Sequence, residues 1–412
     1  MFKYLCLFLG LFATIYAEEF DPENLEEIND PTPARKLPNM DSFWNNGIFF
    51  QSKDKNFQMR IGGRILFDLD YFKNQADLKK DVGNFNDGSE FRYARIFISG
   101  VANKDYFFKW EYDFSQGTVA LKDAFVGMKN VPYIGNVRVG HFYEPFSLEN
   151  LASPNEITFL EYSLPAATFS HVRNDGIEIF STAFDQRMTW DTGVFLDANN
   201  YGLATTSEGS WATRITGLPY YKNEGRELFH LGASFYYRFV QRNLQYRSKP
   251  EAHLAPFFVD TGDMRTKRNV AIDGEVALVY GPFSMQGEYI SSFVKLKDGP
   301  TVNFNGYYAL MSIFLTGENR AYDKVSGYFV KVYPNKNFSF YQKGAGAWEI
   351  ALRYSYLDLT DKTITGGEMQ DITLGVNWYL TPAFKIMGNY VRSFLIGSGH
   401  SDIFLMRFKV DY

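Results

Sequence analysis

From Asn56 to the last residue, the chain repeatedly alternates apolar and polar side chains with a period of two. In residues 57–71 the odd positions are Phe57, Met59, Ile61, Gly63, Ile65, Phe67, Leu69 and Tyr71. The even positions include Gln58, Arg60, Arg64, Asp68 and Asp70. The pattern returns with Tyr106, Phe108, Trp110 and Tyr112 against Lys109, Glu111 and Asp113. It returns again with Leu231, Ala233, Phe235 and Tyr237 against His230, Ser234, Tyr236 and Arg238. Near the end, Trp348, Ile350, Leu352 and Tyr354 face away from Glu349, Arg353 and Ser355, and Ile372, Leu374, Val376 and Trp378 face away from Thr373 and Asn377. A period of two places successive side chains on opposite faces of a strand. These segments are therefore strands with one apolar face and one charged face.

Soluble β-sandwiches also alternate. Three features separate this chain from them. Its apolar faces are dense in aromatics, drawn from 40 Phe and 28 Tyr. Its polar faces carry charges at mid-strand. Its N-terminus, MFKYLCLFLGLFATIYAEEF, has the basic start and short apolar stretch of an export signal. Strands with a lipid-facing aromatic side and a water-facing charged side build a transmembrane antiparallel β-barrel. Strands of about ten residues plus connections divide the chain after Asn56 into roughly 16 strands, and a barrel that wide leaves an aqueous channel.

Residues 1–17 are expected to be a signal peptide cleaved near Ala17, the alternative being a retained N-terminal anchor. The apolar stretch is short for a bilayer span. Residues 18–46 begin acidic and Pro-containing and read as a flexible periplasmic extension, leaving 47–412 as the barrel. The single cysteine, Cys6, falls inside the signal, so the exported chain has no thiol for disulfides, thiolate metal sites or cysteine catalysis. The net charge of −5 argues against a nucleic-acid partner.

Between Phe142 and Asp175 the alternation lapses, in FYEPFSLENLASPNEITFLEYSLPAATFSHVRND. So long a loop needs a functional reason, and in a barrel it is expected to fold inward and constrict the lumen. Glu144, Glu149, Glu156, Glu161 and Arg173 belong to it. The chain closes with Phe404, Met406, Phe408, Val410 and Tyr412 on one face of a last strand. Its aromatic end is similar to the signal that outer-membrane barrels present to the assembly machinery.

Several segments resemble the phosphate-selective porin O and P family, from about Gly47 to Tyr412. GGRILFDLD (62–70) resembles its first strand, and VGHFYEPFSLENL (139–151) with FLEYSLP (159–165) its constriction region. FLTGENRAYD (314–323), GAWEIALRYSYLDL (346–359) and TLGVNWYLTPAFKIMGNYV (373–391) resemble its later strands. The resemblance implies a 16-stranded homotrimeric porin with a loop folded into each channel. It also implies that Arg64, Arg92, Arg247 and Lys249 line the pore and attract anions. Tyr93, Tyr162, Ser291 and Ser292 stand where the family pattern calls for basic groups, which predicts weaker phosphate selectivity.

The five histidines, His141, His171, His230, His253 and His400, form no spaced metal motif, and no nucleotide-binding or nucleophile motif occurs. The chain is thus expected to use no cofactor or metal and to catalyse nothing. Arg60, Arg64, Lys109, Arg238, Arg353 and Arg407 fall on polar faces. Facing them, the loop glutamates would set up a transverse field with mixed selectivity. The sequence reads as a passive outer-membrane channel for small hydrophilic solutes; the alternative is a structural or adhesive barrel with a blocked lumen.

Overall fold

The structure, a computed structural model, describes residues 40–45, 47–115, 117–170, 173–204, 208–240, 243–341 and 343–412. The expected signal peptide, its cleavage point and the start of the extension lie outside these residues. At Met40–Trp44, within the region read as extension, the chain already forms a strand, paired with Ile48–Ser52.

The barrel wall is a closed ring of 16 antiparallel strands, as the pattern predicts. Each pairs with its neighbours in sequence, and the last strand, Gly399–Asp411, returns to pair with Phe57–Asn74. Closure leaves no free edge, the only way a sheet can sit in lipid with its backbone groups satisfied. The seam is tight. Gly63 N–H donates to the Tyr412 carbonyl at 2.7 Å, and Tyr412 N–H donates to the Gly63 carbonyl at 2.9 Å. A Cβ on Gly62 would stand 2.4 Å from the Tyr412 carbonyl oxygen, so the paired glycines are what let the chain end approach. Beyond this point Ile48–Ser52 takes up the pairing with Gln58–Ile61.

Burial runs opposite to that of a soluble protein. Ile65, Trp110, Leu374 and Phe404 are exposed, while Arg64, Glu111, Thr373 and Arg407 are buried. The apolar face is thus the outer one, built for lipid, and the charged face looks into the lumen.

One rim carries mostly tight turns, at 103–105, 132–134, 184–187 and 281–282. The other carries most of the longer connections, and 144–170 and 243–263 fold inward from it. The alternation gave no sign of a third inward segment, within 315–341, which descends from the turn rim. Phe314–Asp323 was expected to be wall. Instead the wall strand ends at Phe314, and Ala321–Asp323 pairs with Tyr328–Val330 in a small separate hairpin. Its Tyr322 and Phe329 pack with Leu148, Leu218, Leu228, Ala277 and Val279. The Tyr322 hydroxyl bonds His230 Nδ1 at 2.7 Å, and Arg214 donates to the Gly327 carbonyl at 2.9 Å.

Arg353, fully buried on the wall strand Ala347–Asp361, ties two inward loops together. It donates to Glu149 at 3.0 Å, to Glu251 at 2.5 Å and to the Glu161 carbonyl at 3.0 Å. Removing one partner from such a buried pair leaves an uncompensated charge and costs about 3–5 kcal/mol. Arg353→Leu is therefore expected to lower the unfolding free energy of the folded barrel by a comparable amount, seen in urea unfolding as a lower midpoint. Adding Glu149→Gln and Glu251→Gln should recover part of the loss. An unchanged midpoint would show that Arg353 does not anchor the loops.

Candidate functional site

The inward course of 144–170 follows from its composition. Pro145, Pro154 and Pro165 cannot donate to a ladder and stop strand pairing. Phe146, Leu148, Phe159, Leu160, Leu164 and Phe169 have no lipid to face, and all are buried against the wall. Polar groups fix the path. The Ser147 hydroxyl accepts from Asn150 N–H and caps the helical turn Leu148–Leu151. The Glu288 carboxylate accepts from Leu148 and Glu149 N–H, each at 2.8 Å. Further along, Asn377 donates to the Thr158 carbonyl at 2.8 Å and Arg407 to the Leu160 carbonyl at 2.5 Å.

The four loop glutamates do not confront the wall across open water, as the sequence led us to expect. Glu144 pairs with Arg238 at 2.9 Å, Glu149 with Arg353 at 3.0 Å, Glu156 with Lys409 at 3.6 Å, and Glu161 with Arg92 at 2.8 Å and Arg407 at 3.0 Å. A buried carboxylate without a partner is too costly, so these acids act as anchors. Burial opposes ionisation of Glu161, yet Arg92 and Arg407 hold its carboxyl well below the usual carboxylate range. Arg173, expected within the loop, opens the next wall strand, Arg173–Ala183, and bonds Asp123 at 2.6 Å.

Two cavities touch the loop. The one toward the loop rim, about 460 Å³, brings together Arg92, Arg247 and Lys249 with Arg95, Lys122 and Arg173. Asp113, Glu161 and Glu251 also line it, so six cations meet three carboxylates. The other, about 420 Å³ and toward the turn rim, holds Arg64 with Arg60, Lys109 and Lys331, four cations against Glu156 and Asp411. The structure thus places three of the four expected anion-attracting residues together and sets Arg64 apart. Of the positions expected to have lost a basic group, Tyr93 and Tyr162 also line the larger cavity. The guanidinium carbons of Arg92 and Arg95 stand 4.6 and 3.9 Å from the Tyr93 ring centre. Ser291 and Ser292 instead bond Asn303 and Asn269 in the wall.

Most of the arginines have their donors engaged. Arg92 grips Glu161 through two bonds, at 2.8 and 3.0 Å. Arg95 bonds Glu111 and Asp113, at 3.0 and 2.7 Å, and Arg64 bonds Glu111 at 3.2 Å and Ser153 at 3.1 Å. Lys122, Arg247 and Lys249 form no ion pair among the described residues. Arg247 lies 4.1 Å from the Phe257 ring centre, and Lys249 donates to the His253 carbonyl at 2.6 Å. Burial lowers the Lys249 ammonium below the ordinary lysine value.

Lys122 escaped the sequence reading. The pairing of Trp110 with Ala124 and of Tyr112 with Leu121 leaves Lys122 and Asp123 together opposite Glu111, a β-bulge. Two consecutive side chains then face the lumen, which a strict period of two would place on opposite faces.

The sequence profile of the family described as phosphate-selective porin O and P matches residues 59–394. Porin O of Pseudomonas aeruginosa is 27% identical to this chain over 389 residues, covering 84% of this chain and 85% of its own length. The fold is similar to that of an anion-selective porin from Comamonas acidovorans, with a TM-score of 0.54 and 13% identity over 86% of this chain and 100% of the other. It is also similar to OmpT of Vibrio cholerae in its trimer form, with a TM-score of 0.53 and 10% identity over 86% and 99% of the two chains. With the profile spanning most of the barrel, the chain belongs to the phosphate-selective porin O and P family of outer-membrane channels.

Proposed function

We propose that this porin is a passive, homotrimeric channel that prefers small anions but binds phosphate weakly. One observation carries the reading: both cavities beside the constriction loop hold more cations than carboxylates, six against three and four against two. Excess positive charge attracts anions over a Debye length of about 8 Å at physiological salt. Tight phosphate capture needs more than charge, because it needs free donors to replace the ion's hydration. Here Arg92, Arg95, Arg173 and Arg64 already give theirs to carboxylates. That leaves Arg247, Lys249 and Lys122 as the groups able to turn toward a passing ion. The family and the trimeric neighbour support transport, rather than catalysis, by a trimer. The N-terminal sequence supports export with cleavage near Ala17, and the aromatic last strand supports recognition by the assembly machinery.

In planar bilayers the folded protein should give stepwise conductance, and a silent protein would favour the blocked structural barrel. Unit charges 8 Å apart in water interact by roughly 0.5 kcal/mol, about a two- to threefold effect. Arg64→Ala, Arg247→Ala, Lys249→Met and Lys122→Met should each lower the anion/cation permeability ratio by about that factor. Unchanged reversal potentials would make these residues ordinary lumen charges.

Adding phosphate at micromolar levels to a chloride-conducting channel should block little of the current. Strong block would mean that a high-affinity phosphate site persists, and the weak-binding reading would fall.

A lysine with a lowered pKa loses its proton sooner as pH rises. Anion preference should therefore begin to fall on the alkaline side of neutrality, below the ordinary lysine value of 10.5. Lys249→Arg stays charged and should flatten the early part of that decline. Identical pH profiles for the two proteins would remove Lys249 from the conduction path.

A further inference from the structure

On the wall strands Met264–Tyr280 and Phe283–Leu296, away from both cavities, three carboxylates converge. Asp273, Glu275 and Glu288 are 4%, 4% and 3% exposed. One oxygen from each lies within 4.8 Å of the others, the one such group found among the described residues. The charges do not balance. Arg214 donates to both oxygens of Glu275, at 2.8 and 2.7 Å, and His230 Nε2 lies 3.1 Å from the same group. Asp273 and Glu288 have no ion pair with a described residue. Glu288 is held by Leu148 and Glu149 N–H and by the Tyr308 hydroxyl. Asp273 accepts only a long bond from Ser234, at 3.3 Å, and its Oδ1, fully buried, accepts no hydrogen bond. Two buried carboxylates beside a third, one with an oxygen lacking any donor, lack a positive charge at their centre.

We propose that Asp273, Glu275 and Glu288 bind a divalent cation, and that the cation is Ca²⁺. The donors are hard oxygens, which suits Ca²⁺ or Mg²⁺ rather than softer metals. Ca²⁺ takes irregular oxygen sets at about 2.3–2.6 Å, so ligands across the ion stand about 4.6–5.2 Å apart. Mg²⁺ requires a compact octahedron and retains several waters, for which so buried a site is poorly suited. The ion would also serve the constriction, because Glu288 grips the first turn of the inward loop through Leu148 and Glu149. Neutralising the cluster would stiffen the wall on which that loop hangs. No spacing motif announces this site, because its ligands come from two strands.

The test uses the whole folded barrel, stripped with EGTA and titrated with CaCl₂ or MgCl₂. Calorimetry and elemental analysis should give one Ca²⁺ per chain, tighter than Mg²⁺, and Ca²⁺ should raise the thermal unfolding temperature. Asp273→Asn and Glu288→Gln should bind Ca²⁺ at least about tenfold more weakly. Heat-modifiable gel mobility confirms that each variant folds. Asp273→Asn removes repulsion without changing shape, so a folded variant is expected. Equal or tighter Mg²⁺ binding would overturn the choice of ion. Failure of the stripped wild type to bind either ion, with Asp273→Asn unfolding at a higher temperature than wild type, would show that the carboxylates share a proton, and the site would be withdrawn.

Discussion

The structure depends on charge pairing inside a wall that lipid surrounds. Arg353 shows the constraint most clearly. Its guanidinium is fully buried and joins Glu149 of one inward loop to Glu251 of another. Neither loop could bring its acid into the lumen without that partner, and Arg353 could not be buried without those acids. Arg407 likewise holds Glu161 of the loop beside Asp68 of the wall strand Phe57–Asn74, and Arg238 holds Glu144 of the loop together with Asp197. The lumen face of the barrel therefore holds the inward segments much as the core of a soluble protein holds its helices. Here ion pairs supply the specificity that apolar packing supplies there.

This pairing shapes the channel as well as the fold. Many wall and loop charges satisfy each other. Where cations outnumber acids, beside Arg92, Lys122, Arg173, Arg247 and Lys249, a cavity remains. The anion preference proposed for the channel would thus be what remains after the structural pairs have formed. The same guanidinium cannot both clamp a glutamate through two bonds and wrap a phosphate. An arginine count along the sequence therefore overstates the binding capacity of the pore.

The three inward segments differ in how visible they are before folding. The 144–170 loop announces itself because strand alternation stops and prolines appear. The 243–263 loop is marked only by the basic RSKP stretch. The segment within 315–341 gives no such signal, because Tyr322 and Phe329 are the residues a wall strand would also use. What sends it inward is an apolar surface made by Leu148, Leu218, Leu228, Ala277 and Val279. That surface exists only once three distant parts of the chain have met: the 144–170 loop, the hairpin of Gly209–Lys222 and Glu227–Phe239, and the strand Met264–Tyr280.

By itself the sequence determined the barrel, its outward and inward faces and its strand number. Each of these follows from a local rule: side chains alternate along a strand, and lipid accepts only a closed sheet. The alternation also placed Arg64 on the water side, and the family resemblance implied the same of Arg92, Arg247 and Lys249. Only the tertiary structure decided which charges remain available. A glutamate reads the same in sequence whether it faces water or grips an arginine about 200 residues away, as Glu149 does with Arg353 across 204 positions. The bulge that turns Lys122 and Asp123 to the same side depends on the register with the neighbouring strand. Pairing and register are long-range properties set by burial, so they were settled only when the ring closed and the loops folded into it.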